Sequence, residues 1–130
     1  MTDEHGESDN LEKLEEKLHG ELLAATDIFK KAKPPYHPNE FRRMLNEHNA
    51  VATVKKLLAS NKDIKDYKGL YRLWEMANMD KVKVPNALNC SAEAIVYNNK
   101  KYRKLFTAEE INTCKERLTA LDYFKNRNER

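Results

Sequence analysis

The chain of 130 residues is long enough for one domain with a buried core, and its few glycines and prolines with 35% charged residues favour a helical fold. Residues 1–29 carry nine acids and two lysines, a net charge of −7, whereas residues 30–130 carry 22 basic and 12 acidic side chains, a net charge of +10. The N-terminus lacks the apolar run of a signal peptide, and the two cysteines lack CxxC spacing, which predicts a cytoplasmic protein. No stretch approaches the roughly 18 apolar residues of a membrane span, so we expect that the protein does not enter a membrane.

The first predicted element is a long amphipathic helix over residues 9–33, preceded by a disordered acidic segment over residues 1–8. Asp9 and Glu12 resemble a capping pair, and the prolines that follow residue 33 end the helix. Its apolar residues recur every three or four positions. They are Leu11, Leu14, Leu18, Leu22, Ala25 and Phe29. This face either packs on its own domain or forms a short coiled-coil seam for self-association or a protein partner.

A helical domain is predicted over residues 34–124, with a basic tail at residues 125–130. Its most strongly patterned part is residues 36–59, which are predicted to form a hairpin of two short helices. Asn49 is expected to end the first of these helices in the left-handed conformation. Residues 80–89 are predicted to be an extended loop or at most a two-residue edge strand.

Helix starts are also predicted in the second half of the chain. We expect Ser91 to begin one helix, and we expect Thr107 to begin the last helix through a capping box with Glu110. We therefore predict an all-α fold, a compact bundle of about five to six short helices preceded by one long N-terminal amphipathic helix.

The residues that would support catalysis or metal binding are poorly placed. No histidine lies three or four positions from another histidine or from a cysteine, so no zinc site is predicted. Cys114 shares the spacing of an apolar helix face and is expected in the core. Glu93 and the lysines that follow it, Lys100 and Lys101, lack the spacing of a nuclease motif. The glycines are isolated, so no glycine-rich phosphate-binding loop is predicted. The sequence thus predicts no catalytic residue, metal or cofactor.

The basic residues are the remaining candidates for a function. The predicted contact residues for nucleic acid, DNA or RNA, or for an acidic partner are Arg42, Arg43, Lys55, Lys56, Lys100, Lys101, Arg103 and Lys104. We expect the first four, which lie on the hairpin, to make the main contact. The hairpin has the length of a helix-turn-helix motif, but Leu45 stands where that motif has a small residue and Lys55 where it has an apolar one. The alternatives are a solvated basic face and a protein-interaction module that uses the N-terminal helix.

From residue 36 onward the chain carries an ordered series of short motifs. These are Tyr36, Phe41, Met44-Leu45, Glu47-His48, Val51, Lys55-Lys56-Leu57-Leu58, Gly69-Leu70, Leu73-Trp74-Glu75, Leu88, Ser91, Glu93-Ala94, Leu105-Phe106-Thr107, Glu109-Glu110 and Arg117-Leu118. In this pattern the chain resembles a small, uncharacterised all-helical bacterial module. It departs from that module at Asn49-Ala50, where the module has two glycines, at Cys90, where it has leucine, and by an insertion over residues 77–86. The resemblance implies an accessory or recognition role and provides no catalytic residues.

Overall fold

Helices account for nearly all regular structure in the computed structural model, which describes residues 3–31, 38–60, 68–81, 83–84 and 86–124. The α-helices are α1 (Asp3–Ala25), α2 (Asn39–Glu47), α3 (Ala50–Ser60), α4 (Lys68–Asn78), α5 (Ala92–Asn98), α6 (Lys100–Arg103) and α7 (Ala108–Ala120). Two 3₁₀ helices span Thr26–Lys31 and Ala87–Cys90. No strand occurs within these ranges, so the predicted all-α fold is confirmed.

The long N-terminal helix begins earlier than the sequence predicts. It starts at Asp3 rather than at Asp9, and the added stretch contains no proline that would interrupt a helix. After Ala25 the chain tightens into the 3₁₀ helix that ends at Lys31. The two prolines predicted to end the helix and the basic tail at residues 125–130 lie outside the described residues.

One hydrophobic cluster joins α1 to the hairpin and to the C-terminal helices. Its buried members are Leu18, Leu22, Leu45, Ala50, Val54, Leu58, Val96, Tyr102, Phe106 and Cys114. Within it Leu18 is 0% exposed and Leu22 is 1% exposed, so the apolar face of α1 packs on the chain's own domain. Cys114 lies in this cluster, as its spacing predicts.

A second cluster lies on the other side of α5 and α7. Its buried members are Phe29, Leu70, Leu73, Met76, Ala87, Leu88, Ala94, Leu118, Leu121 and Tyr123. Helix α5 provides Val96 to the first cluster and Ala94 to the second, and α7 likewise provides Cys114 and Leu118. The contact between α5 and α7 therefore lies between the two clusters, and each of these helices contributes buried side chains to both.

A buried ion pair crosses this contact. Arg117 Nη1 donates to Glu93 Oε2 at 3.1 Å, and both side chains are 3% exposed. Arg117 Nη2 also donates to the carbonyl oxygen of Leu58 at 3.0 Å. One guanidinium group thus connects α7 to α5 and to the C-terminal part of α3.

The predicted helix starts at Ser91 and Thr107 are confirmed. Ser91 Oγ accepts a hydrogen bond from the backbone N–H of Ala94 at 3.0 Å. Thr107 and Glu110 form the reciprocal capping box, with Glu110 N donating to Thr107 Oγ1 at 3.1 Å and Thr107 N donating to Glu110 Oε1 at 2.9 Å. These caps satisfy N–H groups that a helix start leaves without an intrahelical acceptor.

The predicted left-handed stop at Asn49 is wrong. Among the described residues other than glycine, Asp122 alone has a positive φ, of 59°. Helix α2 ends instead at His48 in an extended conformation, with φ −128° and ψ 173°. Asn49 Oδ1 accepts a hydrogen bond from Ala52 N at 2.7 Å, so this side chain caps the start of α3. Asparagine suits both positions, and here its side-chain oxygen accepts from one N–H group at the start of α3, that of Ala52.

The connection from α4 to α5 is held by polar contacts. Arg72 donates to both carboxylate oxygens of Asp80, each at 2.9 Å, which ties the turn after α4 back to that helix. Val84 N donates to Met76 O at 2.8 Å. The described part of this predicted loop has no strand, but it ends in the 3₁₀ helix that buries Ala87 and Leu88.

We expect the Glu93–Arg117 pair to be the most sensitive polar contact of the fold. Arg117→Met should lower the free energy of unfolding by about 3–5 kcal/mol, because it leaves the Glu93 carboxylate buried without its cation. The double variant Glu93→Gln with Arg117→Met should recover much of that stability. Urea denaturation measures the free energy of unfolding of both variants. Arg43→Gln, which removes an exposed ion pair, is the control and should change stability by less than about 1 kcal/mol. A destabilisation in Arg117→Met no larger than in that control would contradict this assignment.

Candidate functional site

The eight predicted contact residues fall into two groups in the structure. Arg42, Arg43, Lys55 and Lys56 lie on the hairpin of α2 and α3. Lys100, Lys101 and Arg103 lie on α6, and Lys104 follows it directly. The two groups differ in how far their charges are already balanced by acidic groups of the same chain.

Arg42 is bound to the end of the N-terminal helical segment. Its Nε donates to Thr26 Oγ1 at 2.9 Å, and its Nη2 pairs with Asp27 Oδ1 at 3.2 Å. Thr26 is itself buried and donates to the carbonyl oxygen of Leu23 at 2.6 Å. Arg42 therefore orients α2 against the first 3₁₀ helix, and Asp27 balances part of its charge.

Arg43 is balanced by two carboxylates on its own helix. Its Nη2 lies 2.5 Å from Glu40 Oε2 and its Nη1 lies 2.6 Å from Glu47 Oε1. The hydrogen bond from Arg43 lowers the pKa of Glu40, and the bonds to Glu40 and Glu47 raise the pKa of Arg43. The side chain is 52% exposed, but its surroundings are acidic.

Lys55 and Lys56 are neighbours with different environments. Lys55 Nζ lies 2.7 Å from Glu110 Oε1 and 5.5 Å from the centre of the Phe106 ring, so it bridges α3 and the capping box of α7. Lys56 is exposed, and its charge is among the causes that lower the pKa of Glu40. Lys55 is thus a structural cation, and the acidic residues of α2 partly screen Lys56.

The lysines of the second group are exposed. Lys100, Lys101 and Lys104 make no ion pair with any acidic residue that the structure describes. Between them Tyr102 is 2% exposed, and its hydroxyl donates to a carboxylate oxygen of Glu21 on α1. Because Lys100 and Lys104 each lie two positions from Tyr102, about 200° around the helix, burial of the tyrosine turns both lysines outward.

Arg103 completes this group in an unusual arrangement. Its Nε and Nη2 donate to the carbonyl oxygen of Tyr97 at 2.8 and 2.5 Å. Its Cζ lies 4.4 Å from the centre of the Tyr97 ring, which is a cation–π contact. Both residues are half-buried. We call Tyr97 with Arg103 the arginine–tyrosine stack, and Lys100, Lys101, Arg103 and Lys104 the α6 basic surface.

The structure assembles no metal site in the part of the chain that it describes. No group of three His, Cys, Asp or Glu side chains there could hold a metal ion. His19 Nε2 lies 3.0 Å from the carbonyl oxygen of Leu45, which accounts for that histidine as a link between α1 and α2. No helix within the described ranges is both long and apolar enough to cross a membrane.

The two cysteines are free thiols in protected surroundings. Burial and, after it, the nearby Glu93 carboxylate raise the pKa of the free thiol of Cys114 to about 12, against the opposing charge of Arg117. Burial also raises the pKa of Cys90, which is half-buried, while the charge of Lys31 opposes that shift. Neither thiol has the lowered pKa of a nucleophilic cysteine.

The predicted seam of α1 is largely occupied within the chain. Leu18, Leu22 and Phe29 belong to the two core clusters, whereas Leu11 is 43% exposed and Leu14 is half-buried. Leu11 and Leu23, which is 38% exposed, are therefore the large apolar side chains of α1 that stay exposed in the described residues.

Two contacts of the structure were not predicted from the sequence. Glu93 and Arg117 are 24 positions apart, and no periodicity connects them. The arginine–tyrosine stack forms across the break between α5 and α6, where Arg103 reaches a carbonyl near the end of the preceding helix. Its signal in the sequence is the pair Asn98-Asn99, which predicts the break but not the contact.

The comparisons with protein-family models, with curated proteins and with solved structures gave no match. The resemblance to a bacterial helical module thus stays a prediction. The geometry and the charges of the α6 basic surface and of the hairpin remain as the basis for a function.

We expect the Lys55–Glu110 pair to make stability depend on acid pH. Burial alone would raise the pKa of Glu110, but hydrogen bonds from Lys55 and Thr107 outweigh it and the pKa is lowered. A lowered pKa in the folded state adds stability above the unfolded pKa, and this stability is lost as the pH falls, here from about 5 towards 3. Urea denaturation across this range should show a smaller acid destabilisation in Lys55→Met than in the wild type. The adjacent Lys56→Met is the control, and parallel profiles of the two variants would contradict the assignment.

We expect the two thiols to differ in reactivity. With a pKa of about 12 and no exposed surface, Cys114 should react with iodoacetamide at pH 8 far more slowly than Cys90. Mass spectrometry of the folded protein after timed alkylation measures both sites, and alkylation in urea should remove the difference. Equal rates in the folded protein would contradict the buried placement of Cys114.

Proposed function

We propose that the protein is a non-enzymatic binding module that contacts nucleic acid or an acidic partner through the α6 basic surface. The observation that carries this proposal is the uneven balance of charge. The hairpin arginines and Lys55 are paired within the chain, whereas Lys100, Lys101 and Lys104 are exposed and have no described acidic partner. Lysines in that state can neutralise phosphates and displace the counterions condensed on a nucleic acid, which favours association.

The difference in charge balance between the hairpin and the α6 basic surface also argues against the hairpin as the main contact surface. An exposed ion pair contributes about 1 kcal/mol or less, so Arg43 could exchange its carboxylates for phosphates at little cost. The difficulty is that Glu40 and Glu47 stay beside it and repel the incoming anion. Arg42 has Asp27 at 3.2 Å, and the same repulsion applies there.

A cytoplasmic location and a bacterial origin belong to this proposal. The free state of Cys90 and Cys114 supports the first, because reducing compartments keep thiols unpaired. The resemblance of residues 36–118 to a bacterial helical module supports the second.

A second candidate is a protein-interaction or oligomerisation module that uses α1. The exposed fraction of Leu11, 43%, and of Leu23, 38%, favours it. Burial of Leu18 and Leu22 reduces the apolar area that remains for a partner. It therefore ranks below the α6 basic surface.

We expect replacement of the three exposed lysines to weaken polyanion binding. The triple variant Lys100→Gln, Lys101→Gln and Lys104→Gln should bind labelled nucleic acid more weakly than the wild type and show a shallower dependence on salt. The slope of log K against log salt should fall by about 1 for each phosphate that the variant no longer neutralises. Fluorescence anisotropy between about 50 and about 200 mM salt measures this.

The matched control is Lys81→Gln, Lys83→Gln and Lys115→Gln, which removes the same charge from three other exposed lysines. It should retain most of the affinity and of the salt slope. Equal reductions in the two triple variants, or no binding by the wild type at low salt, would contradict the proposal. Sedimentation of the same samples reports whether α1 holds a dimer.

A further inference from the structure

We infer that the partner of the α6 basic surface is single-stranded nucleic acid, whose bases stack on the arginine–tyrosine stack while the neighbouring lysines contact phosphates. This inference rests on the proposed function and specifies its ligand. It depends on a feature that an acidic peptide or a duplex does not use, namely a guanidinium group held over an aromatic ring at the surface.

The guanidinium group of Arg103 is fixed before any ligand arrives. Two of its nitrogens donate to one carbonyl oxygen, that of Tyr97, and its Cζ lies 4.4 Å from the ring centre of the same residue. An arginine side chain otherwise loses conformational entropy when a ligand orders it, and this loss weakens binding. Here the fold has already ordered the side chain, so a base that stacks on Arg103 gains more of its contact energy.

The ring beneath Arg103 is also braced. Tyr97 packs edge to face on Phe124 with ring centres 5.5 Å apart, and Phe124 packs edge to face on Tyr123 at 5.0 Å. Tyr123 is 3% exposed, and its hydroxyl donates to Asn89 Oδ1 at 2.5 Å and accepts from Asn98 Nδ2 at 2.7 Å. The stack therefore stands on a row of rings anchored in the core, while Tyr97 and Arg103 remain half-buried.

The lysines flank this stack on both sides in the chain. Lys100 and Lys101 precede Arg103, and Lys104 follows it. Lys100 and Lys104 are four residues apart, about 6 Å along a helix axis. The lysines therefore span a short surface, which suits contact with the phosphates of a few nucleotides of one strand.

The combination favours a single strand over the other polyanions. Base–aromatic and base–arginine stacking are available only from bases that are not already stacked in a duplex, and every base offers such a face. An acidic peptide provides carboxylates for Lys100, Lys101 and Lys104 but no ring to stack. We expect binding with little preference for base sequence.

The test compares ligands on the unchanged protein first. Anisotropy is measured with a labelled oligothymidylate, with an abasic strand of the same length, with a duplex and with an oligoglutamate peptide. Stacking contributes about 1–3 kcal/mol per base, so the oligothymidylate should bind at least about 5-fold more tightly than the abasic strand. The duplex and the peptide should bind more weakly than the oligothymidylate.

Arg103→Lys is the matching variant, because it keeps the charge and removes the planar group. It should weaken oligothymidylate binding by about 5-fold or more and leave binding of the abasic strand unchanged. Lys115→Arg, at an exposed lysine of α7 outside the predicted contact residues, is the control for an exchange of these two cations and should change neither affinity. If Arg103→Lys fails to fold by circular dichroism, the ligand comparison on the wild type still decides.

The outcomes separate the two proposals. No binding of any polyanion at low salt would overturn the proposed function and this inference together. Equal affinity for the oligothymidylate, the abasic strand and the duplex would overturn the inference and leave a purely electrostatic surface. Tightest binding of the oligoglutamate peptide would also overturn it, in favour of an acidic protein partner.

Discussion

The ion pair between Glu93 and Arg117 is the contact on which the arrangement of the helices depends. Both side chains are 3% exposed, and transferring two charges from water to such a place is unfavourable unless each finds its partner. The register of α7 on α5 brings the two groups within 3.1 Å, and the placement of α3 brings the Leu58 carbonyl within 3.0 Å of the same guanidinium. Apolar contacts on either side are non-directional, so the pair adds a directional requirement that they lack.

Burial of Arg117 also removes a cation from the surface, and the same holds in part for Arg42 and Lys55. The net charge of residues 30–130 therefore overstates what a partner meets. Among the cations that remain at the surface, Lys100, Lys101 and Lys104 lie within five consecutive positions and make no ion pair with a described acidic residue. On one side this region is bounded by α1, whose Glu21 accepts the hydrogen bond of Tyr102. An acidic border of this kind would direct an anionic chain across α6 rather than along α1.

Helix α6 shows how a surface can be held by a single turn of helix. A helix of four residues has no stability of its own in water. Tyr102 anchors it inward with a buried ring, and Arg103 anchors it to α5 through the Tyr97 carbonyl. Because these two side chains hold the turn, the lysines beside them are free to face solvent. Structural and proposed binding roles thus lie within five consecutive residues, and Arg103 has both.

The sequence alone determined the all-α class, the apolar face of α1, the place of Cys114 and the helix starts at Ser91 and Thr107, whereas the structure decided that the face of α1 packs on its own domain. Each of these depends on residues three or four positions apart, so periodicity and capping patterns record it. Asn49 shows the limit of such local rules, because asparagine can cap either end of a helix and only the packed hairpin decided which.

The tertiary structure alone decided which cations are balanced, since Lys55 meets Glu110 from 55 positions away and Glu93 meets Arg117 from 24. It also created the stack of Arg103 on Tyr97. Long-range contacts of this kind leave no period in a sequence, because they are set by how the helices pack.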